Sequence, residues 1–492
     1  MATQDAPADG VGVSGAEAKR ESMAGDRPPG PRGYPVVGNT LQFLRDPLGF
    51  YDRCAAYEDD VVAYSIGSAD GYMLTHPADV ERVLVTDDAH FVRASITWDS
   101  LGQIADGGLF LAEGEDWRAH RAALQPSFYR DRIETYADMM ARFADERTDE
   151  WTRRAVGPAA DASGPAADAG ATVAVSEEMR TLTLDILAKT LLDVDIRGGE
   201  SAIGDAAAAI SERFDASSLS AFLPLWVPTP ANRRCRRAVE RFDEAIAHMV
   251  AERRASDGEF DDLLSILLDL DVGEGPDGGL SETEIRDHLF TFLFAGHETT
   301  ALTLSYAIFL LANHPEKQER LHAELDDALG DGDEGSAADA EPPSAGDMFE
   351  LDYLGDVVDE ALRLYPPAYT VFRESTRDVE IGGYAMPEGS TISMPQWVLH
   401  RDERWYDAPE AFRPERWTGD FRETLPDYAY FPFGGGPRHC IGMRFALMEA
   451  RLVLATFARR FRFEPVTEPP LDLTMQITLQ PADPIEVGLD RR

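Results

Sequence analysis

Two sets of residues in this chain have types and spacings that could do chemistry together. The run FPFGGGPRHCIG at 431–442 places Cys440 after Gly434, Gly435 and Gly436, which allow positive φ and a close backbone approach. From Ile441 onward the pattern turns amphipathic (Met443, Leu447, Leu452, Leu454, Phe457), which predicts a helix with Cys440 at its N-terminus. Free backbone N–H groups and the positive dipole end at such a position stabilise a thiolate. The second set, Ala295-Gly296-His297-Glu298-Thr299-Thr300, interrupts an otherwise apolar helix with an acid and two hydroxyls. Burying those groups costs stability unless they are partnered, so their position points to a task. A hydroxyl beside an acid can relay protons to a molecule bound against the helix.

The elements that must hold these groups are mostly helical. Ser281-Glu282-Thr283-Glu284 reads as a capping box, apolar residues continue to Leu311, and His314-Pro315 stops the pattern. A helix over 281–313 would be about 50 Å long. Apolar nearly all round, it should cross the centre of the molecule; the polar insert at 296–300 argues against a membrane span. Short strand-like runs occur at 61–66, 72–74, 379–381, 391–394, 475–479 and 485–487. Residues 1–26 read as a disordered tail, and 27–492 as a single domain with low-complexity loops inserted at 155–172 and 329–347.

The cysteine run resembles the cytochrome P450 superfamily pattern F-x-x-G-x-R-x-C-x-G at every fixed position, namely Phe433, Gly436, Arg438, Cys440 and Gly442. The resemblance implies haem b with Cys440 as axial iron ligand, Phe433 packed by the sulfur, and Arg438 on a haem propionate. It extends along most of the chain. Glu360-Ala361-Leu362-Arg363 matches E-x-x-R and Phe412-Arg413-Pro414-Glu415-Arg416-Trp417 matches the later P-E-R segment. This implies a buried structural ionic cluster of Glu360, Arg363 and Arg416. Trp117 and Arg121 match W-x-x-x-R, and Arg373 falls where a further propionate arginine is usual. Residues 295–300 match A-G-x-[DE]-T-[TS], which makes Thr299 the hydroxyl donor to bound dioxygen and Glu298 the proton relay. Gly296 would let the helix bulge for dioxygen and Ala295 would face the iron.

The implied fold is a mainly α triangular prism of about a dozen helices with a small β lobe, the haem lying between the 281–313 helix and the one at Cys440. The implied activity is a monooxygenase that puts one atom of O2 into an apolar substrate: fatty acid, terpenoid, steroid-like compound or carotenoid. The segment GGLFLAEGEDWRAHRAALQPSF (107–128) looks most like the fatty-acid-hydroxylating branch, in which the residue matching Phe110 stands over the haem. Ala368, Tyr369, Ile477 and Thr478 match pocket-lining positions. A peroxide-using enzyme, an isomerase or a haem sensor of the same fold is the alternative, and the Glu298-Thr299 pair argues against these.

Composition narrows the setting. With 46 Lys+Arg against 89 Asp+Glu the formal charge is −43, and the only lysines are Lys19, Lys189 and Lys317. Such a field repels nucleic acid and anionic membranes, and suits the salt-rich cytoplasm of an extreme halophile. Cys54, Cys235 and Cys440 show no metal or disulfide spacing, and His288 and His297, nine residues apart, form no ligand pair. The N-terminal stretch lacks the apolar core of a signal or anchor. No flavin fingerprint or Fe–S cysteine set follows the haem loop, so electrons are expected from a separate ferredoxin and its reductase.

Overall fold

The computed structural model describes residues 27–67, 69–95, 101–156, 171–197, 202–218, 223–258, 260, 262–270, 279–330 and 342–492. The expected tail at 1–26 and most of both low-complexity inserts (157–170 and 331–341) lie outside them. In chain order the main elements are β1 (Val61–Ile66), β2 (Ala69–Leu74), β3 (Phe91–Val92), α1 (Gly114–Leu124), α2 (Arg130–Val156), β4 (Ala171–Ala174), α3 (Val175–Leu192), α4 (Ala202–Arg213) and α5 (Pro230–Ala255). There follow α6 (Glu282–Ala312), α7 (Pro315–Leu329), α8 (Asp352–Leu364), β5 (Val371–Ser375), β6 (Val379–Ile381), β7 (Tyr384–Met386), β8 (Thr391–Met394), α9 (Met443–Arg460), β9 (Phe461–Pro465), β10 (Leu473–Met475), β11 (Leu479–Pro481) and β12 (Glu486–Arg491). Shorter helical turns are left unnumbered.

Helix α6 starts where local chemistry dictates. Ser281 Oγ accepts from the Glu284 N–H at 3.2 Å while the Glu284 carboxylate accepts from the Ser281 N–H at 2.8 Å, which closes a capping box. It stops before Pro315, whose ring opens α7 instead. Between these ends the helix is buried on nearly every side and packs on α3, α8 and α9, so it is the axis of the largest apolar core. Helix α9 lies along α2, where Trp151 is fully buried with its ring 4.6 Å from Phe457.

The main sheet has the order β1-β2-β8-β5-β3; β2 and β8 run parallel and the other pairs are antiparallel. Its register sets Arg373 of β5 opposite Ile392 of β8. Two departures from the sequence reading concern element ends. The run 475–479 is not one strand: Gln476 N–H donates to Thr478 O at 3.0 Å, closing a turn between β10 and β11. The last long helix opens at Met443, with Gly442 as its cap, so Cys440 stands ahead of the helix rather than at its first turn.

Candidate active site

The cysteine loop is shaped by two close approaches. Gly434 and Gly436 have positive φ (72° and 64°). A Cβ on Gly436 would lie 1.8 Å from the Leu84 carbonyl oxygen, so only glycine fits. The Cys440 N–H donates to the Phe433 carbonyl at 2.9 Å, which ties the two ends of the loop. Cys440 is solvent-accessible. Its thiol is pushed up by desolvation, against which a backbone N–H at Gly442 and the Arg121 charge act to lower it. That N–H belongs to the cap residue of α9, so a single donor at the helix terminus faces the sulfur. By contrast, burial pushes Cys54 up to about 12 and Cys235 to about 11, which leaves both inert.

Beside the loop the arginines gather. Arg438 pairs with Glu113, donates to the Ala112 carbonyl at 2.9 Å and lies 4.5 Å over the Trp117 ring. Burial, followed by the Arg438 charge, lowers Arg373 to about 10. Burial and the neighbouring Arg373 and Arg438 cations also press down on Arg93, whose Nε is buried without a partner. Glu113 is the carboxylate that acts on all three, and Asp88 acts on Arg373 and Arg438 as well. Three guanidinium groups in mutual repulsion, with fewer acids than cations around them, fit a ligand carrying two carboxylates, as haem does. Arg93 has no motif to mark it and was missed in the sequence. Arg121 turns elsewhere: its Nη1 donates to the His439 carbonyl at 2.9 Å and its Nε to Gln125 at 2.8 Å.

Helix α6 runs unbroken through Gly296, whose added Cβ would sit 3.0 Å from Leu187 of α3; the glycine serves close packing there. Ala295 is exposed and Thr299 partly so, one turn apart on a helix that is buried at 292–294, 297, 298 and 300, which marks an internal cleft along that strip. Thr299 Oγ1 donates to the Ala295 carbonyl at 2.8 Å. Glu298 is buried. Its carboxylate accepts from Ser211 Oγ of α4 at 3.0 and 3.1 Å and from Gln480 Nε2 of β11 at 2.6 Å. Gln480 also donates to Thr478 Oγ1 at 2.9 Å and accepts from Arg180. Ser211 and Gln480 lie far away in the chain and carry no signal of their own.

The expected pocket residues divide into two groups. Tyr369 Oη donates to the Gln476 carbonyl at 2.8 Å and Leu479 N–H to Pro367 O at 2.9 Å, which bring Ala368 and Tyr369 to the turn bearing Ile477 and Thr478. Phe110 stands with the arginines, 39% exposed, with Arg93 4.1 Å over its ring. The ionic cluster is fully buried: Arg363 pairs with Glu360 at 2.8 Å and Arg416 with the same carboxylate at 3.0 Å. Trp417 Nε1 and the Arg413 backbone N–H also donate to the Glu360 carboxylate, at 3.0 Å each. Among the described residues no group of three or more His, Cys, Asp or Glu is placed to hold a metal ion, and no helix is long and apolar enough to cross a membrane.

A mainly helical fold, one accessible cysteine in a glycine-shaped loop, a cluster of guanidinium groups and an acid–hydroxyl pair on a central helix define a haem-thiolate oxidoreductase. The family model for cytochrome P450 matches residues 28–489, and the chain belongs to that family. It is 34% identical over 440 residues to cyclooctat-9-en-7-ol 5-monooxygenase of Streptomyces melanosporofaciens, covering 89% of both chains. Pentalenene oxygenase of Streptomyces avermitilis is 32% identical over 451 residues, covering 90% of this chain and 92% of that one. Cytochrome P450 3A16 of Mus musculus is 30% identical over 480 residues, covering 93% and 90%. The protein is a monooxygenase of this family that uses haem with a cysteine thiolate ligand and O2.

Proposed function

We propose that the chain hydroxylates a terpenoid-type hydrocarbon with electrons from a separate ferredoxin and reductase, in a salt-rich cytoplasm. The terpenoid class is favoured over the fatty-acid branch because two relatives matched nearly end to end bear terpenoid names. When bound, the haem iron supplies the electron and dioxygen chemistry that side chains lack. Cys440 is its ligand, with Phe433 packed by the sulfur and Gly436 and Gly442 giving the loop its path. Arg438, Arg373 and Arg93 take the propionates, with Trp117 beneath Arg438; Arg121 steadies the cysteine loop through His439. The Thr299 hydroxyl, which donates to the Ala295 carbonyl at rest, would turn to donate to a molecule bound against this strip, and Glu298, held by Ser211 and Gln480, would be the acid that resupplies its proton. Ala295 leaves room on the same strip, and Gly296 lets α3 close behind it. Phe110, Ala368, Tyr369, Ile477 and Thr478 bound the substrate space.

The observation that carries this reading is the accessible Ala295–Thr299 strip on an otherwise buried helix, with a partnered acid directly beside it. The test is a carbon monoxide difference spectrum of the reduced protein in concentrated salt. A strongly red-shifted Soret band that is lost in Cys440→His is the expected result. A band typical of histidine or neutral-thiol ligation in the unmodified protein removes the thiolate from the mechanism.

A further inference from the structure

Three consecutive residues of α6, Arg286, Asp287 and His288, all reach the segment 104–109. Arg286 Nη1 donates to the Ile104 carbonyl. Asp287 Oδ2 accepts from the Gly107 N–H at 2.8 Å and His288 Nδ1 from the Leu109 N–H at 3.3 Å. A straight neighbour meets a helix at i, i+3 and i+4, so contact with three adjacent positions means the segment wraps across the helix. Two glycines let it come that close: a Cβ on Gly108 would lie 2.3 Å from Thr291 Oγ1 and 2.6 Å from the Asp287 carbonyl, and one on Gly107 3.1 Å from Asp287 Oδ2. Leu111 and Ala112 N–H groups both donate to the Gly108 carbonyl at 3.0 Å, so the turn that carries Phe110 starts from the clamped residue.

The clamp is built inside the molecule. His288 is fully buried and its ring meets that of His120, also buried, edge-on at 4.8 Å. Burial, followed by the His120 neighbour, lowers His288 to about 3, so the ring stays neutral and Nδ1 remains an acceptor at any working pH. Asp287 is tied on its other oxygen by Arg286 at 2.7 Å, and Arg286 by Asp243 of α5 at 2.6 Å.

We infer that His288 and Asp287 are positioning residues that fix where Phe110 stands, and through it which part of a bound molecule faces the reactive position. This rests on the proposed place of Phe110 in the substrate space. A probe that needs no known substrate is 4-phenylimidazole, followed by the Soret shift of nitrogen ligation, with its ring competing for space beside Phe110. In His288→Leu its dissociation constant is expected to change by about fivefold or more, with His288→Gln, which keeps an acceptor, near the parent value. In a Phe110→Ala background, adding His288→Leu should change it by no more than about twofold, because the group it acts through is gone. Gly108→Ala pushes the same turn away from the loop side and should also change the dissociation constant by about fivefold or more, which serves if His288→Leu fails to fold. Hydrogen exchange of peptide 104–111 should quicken in both variants. A thiolate carbon monoxide band with parental 4-phenylimidazole affinity in His288→Leu or Gly108→Ala, or an equal change in the Phe110→Ala background, overturns the inference. Absence of the band in the parent overturns the functional reading instead.

Discussion

Cys440 works against its own ionisation: desolvation raises its thiol, and the Gly442 N–H with the Arg121 charge brings it only part of the way back. A coordinating metal ion removes the thiol proton outright, so the loop need only shape the ligand and keep it in place. The arginine group beside it tells the same story with opposite sign. Arg93, Arg373 and Arg438 crowd one another, and an anion set among them would relieve repulsion at all three. Arg93 is the most exposed to this logic because its Nε has no partner. Replacing Arg93 by Ala is expected to speed haem transfer to apomyoglobin by about tenfold, the scale of one charge-assisted hydrogen bond. Arg236→Ala, an exposed arginine on α5, should leave the transfer rate alone. Equal rates for the two variants would take Arg93 out of the propionate set.

At the scale of elements, the Glu360 cluster holds α8 to the segment that leads into the cysteine loop. Arg363 adds bonds to the carbonyls of His400 at 2.8 Å, Pro409 at 2.7 Å and Ala411 at 3.2 Å, so one guanidinium closes three turns of chain. Removing the acid leaves two cations buried without it, which costs about 3–5 kcal/mol where a pair is broken inside a protein. Glu360→Gln keeps the shape and loses the charge. It is expected to lower the thermal midpoint and release haem together; a variant as stable as the parent would mean that backbone carbonyls alone satisfy Arg363 and Arg416. The cluster was legible in the sequence only as E-x-x-R beside P-E-R, since the carbonyls it binds have no sequence signature. Local signals read best. The ends of α6 follow from Ser281, Glu284 and Pro315, each of which acts within one turn. The start of α9 was misplaced because amphipathic periodicity from Ile441 cannot tell which residue takes the cap, and Gly442 does. The alternation at 475–479 looked like a strand, yet its middle is a turn tied to Tyr369. Arg93, Ser211, Gln480 and the His288 clamp stayed hidden because their partners come from distant parts of the chain.

For the whole molecule the governing quantity is the charge of −43. Added salt has two effects of opposite sign: it weakens the Arg–carboxylate pairs, and it screens repulsion among the acids. Many of the pairs are exposed, such as Arg27–Asp70 and Arg234–Glu212, and pairs of that kind contribute about 0–1 kcal/mol each. The decisive pairs, at Glu360, are buried and barely screened. With nearly two acids for every basic residue, the relief of repulsion therefore outweighs the pair attraction that screening removes. The thermal midpoint should rise by at least about 5 °C between roughly 0.1 M and 2 M KCl, over which the screening length shrinks from about 10 Å to a few ångströms. A rise complete by about 0.5 M would assign the effect to screening alone; a continuing rise would add exclusion of salt from the surface. A flat or falling midpoint would mean that the acids are already relieved by their arginines, and the salt-adapted reading of this surface would fall with it.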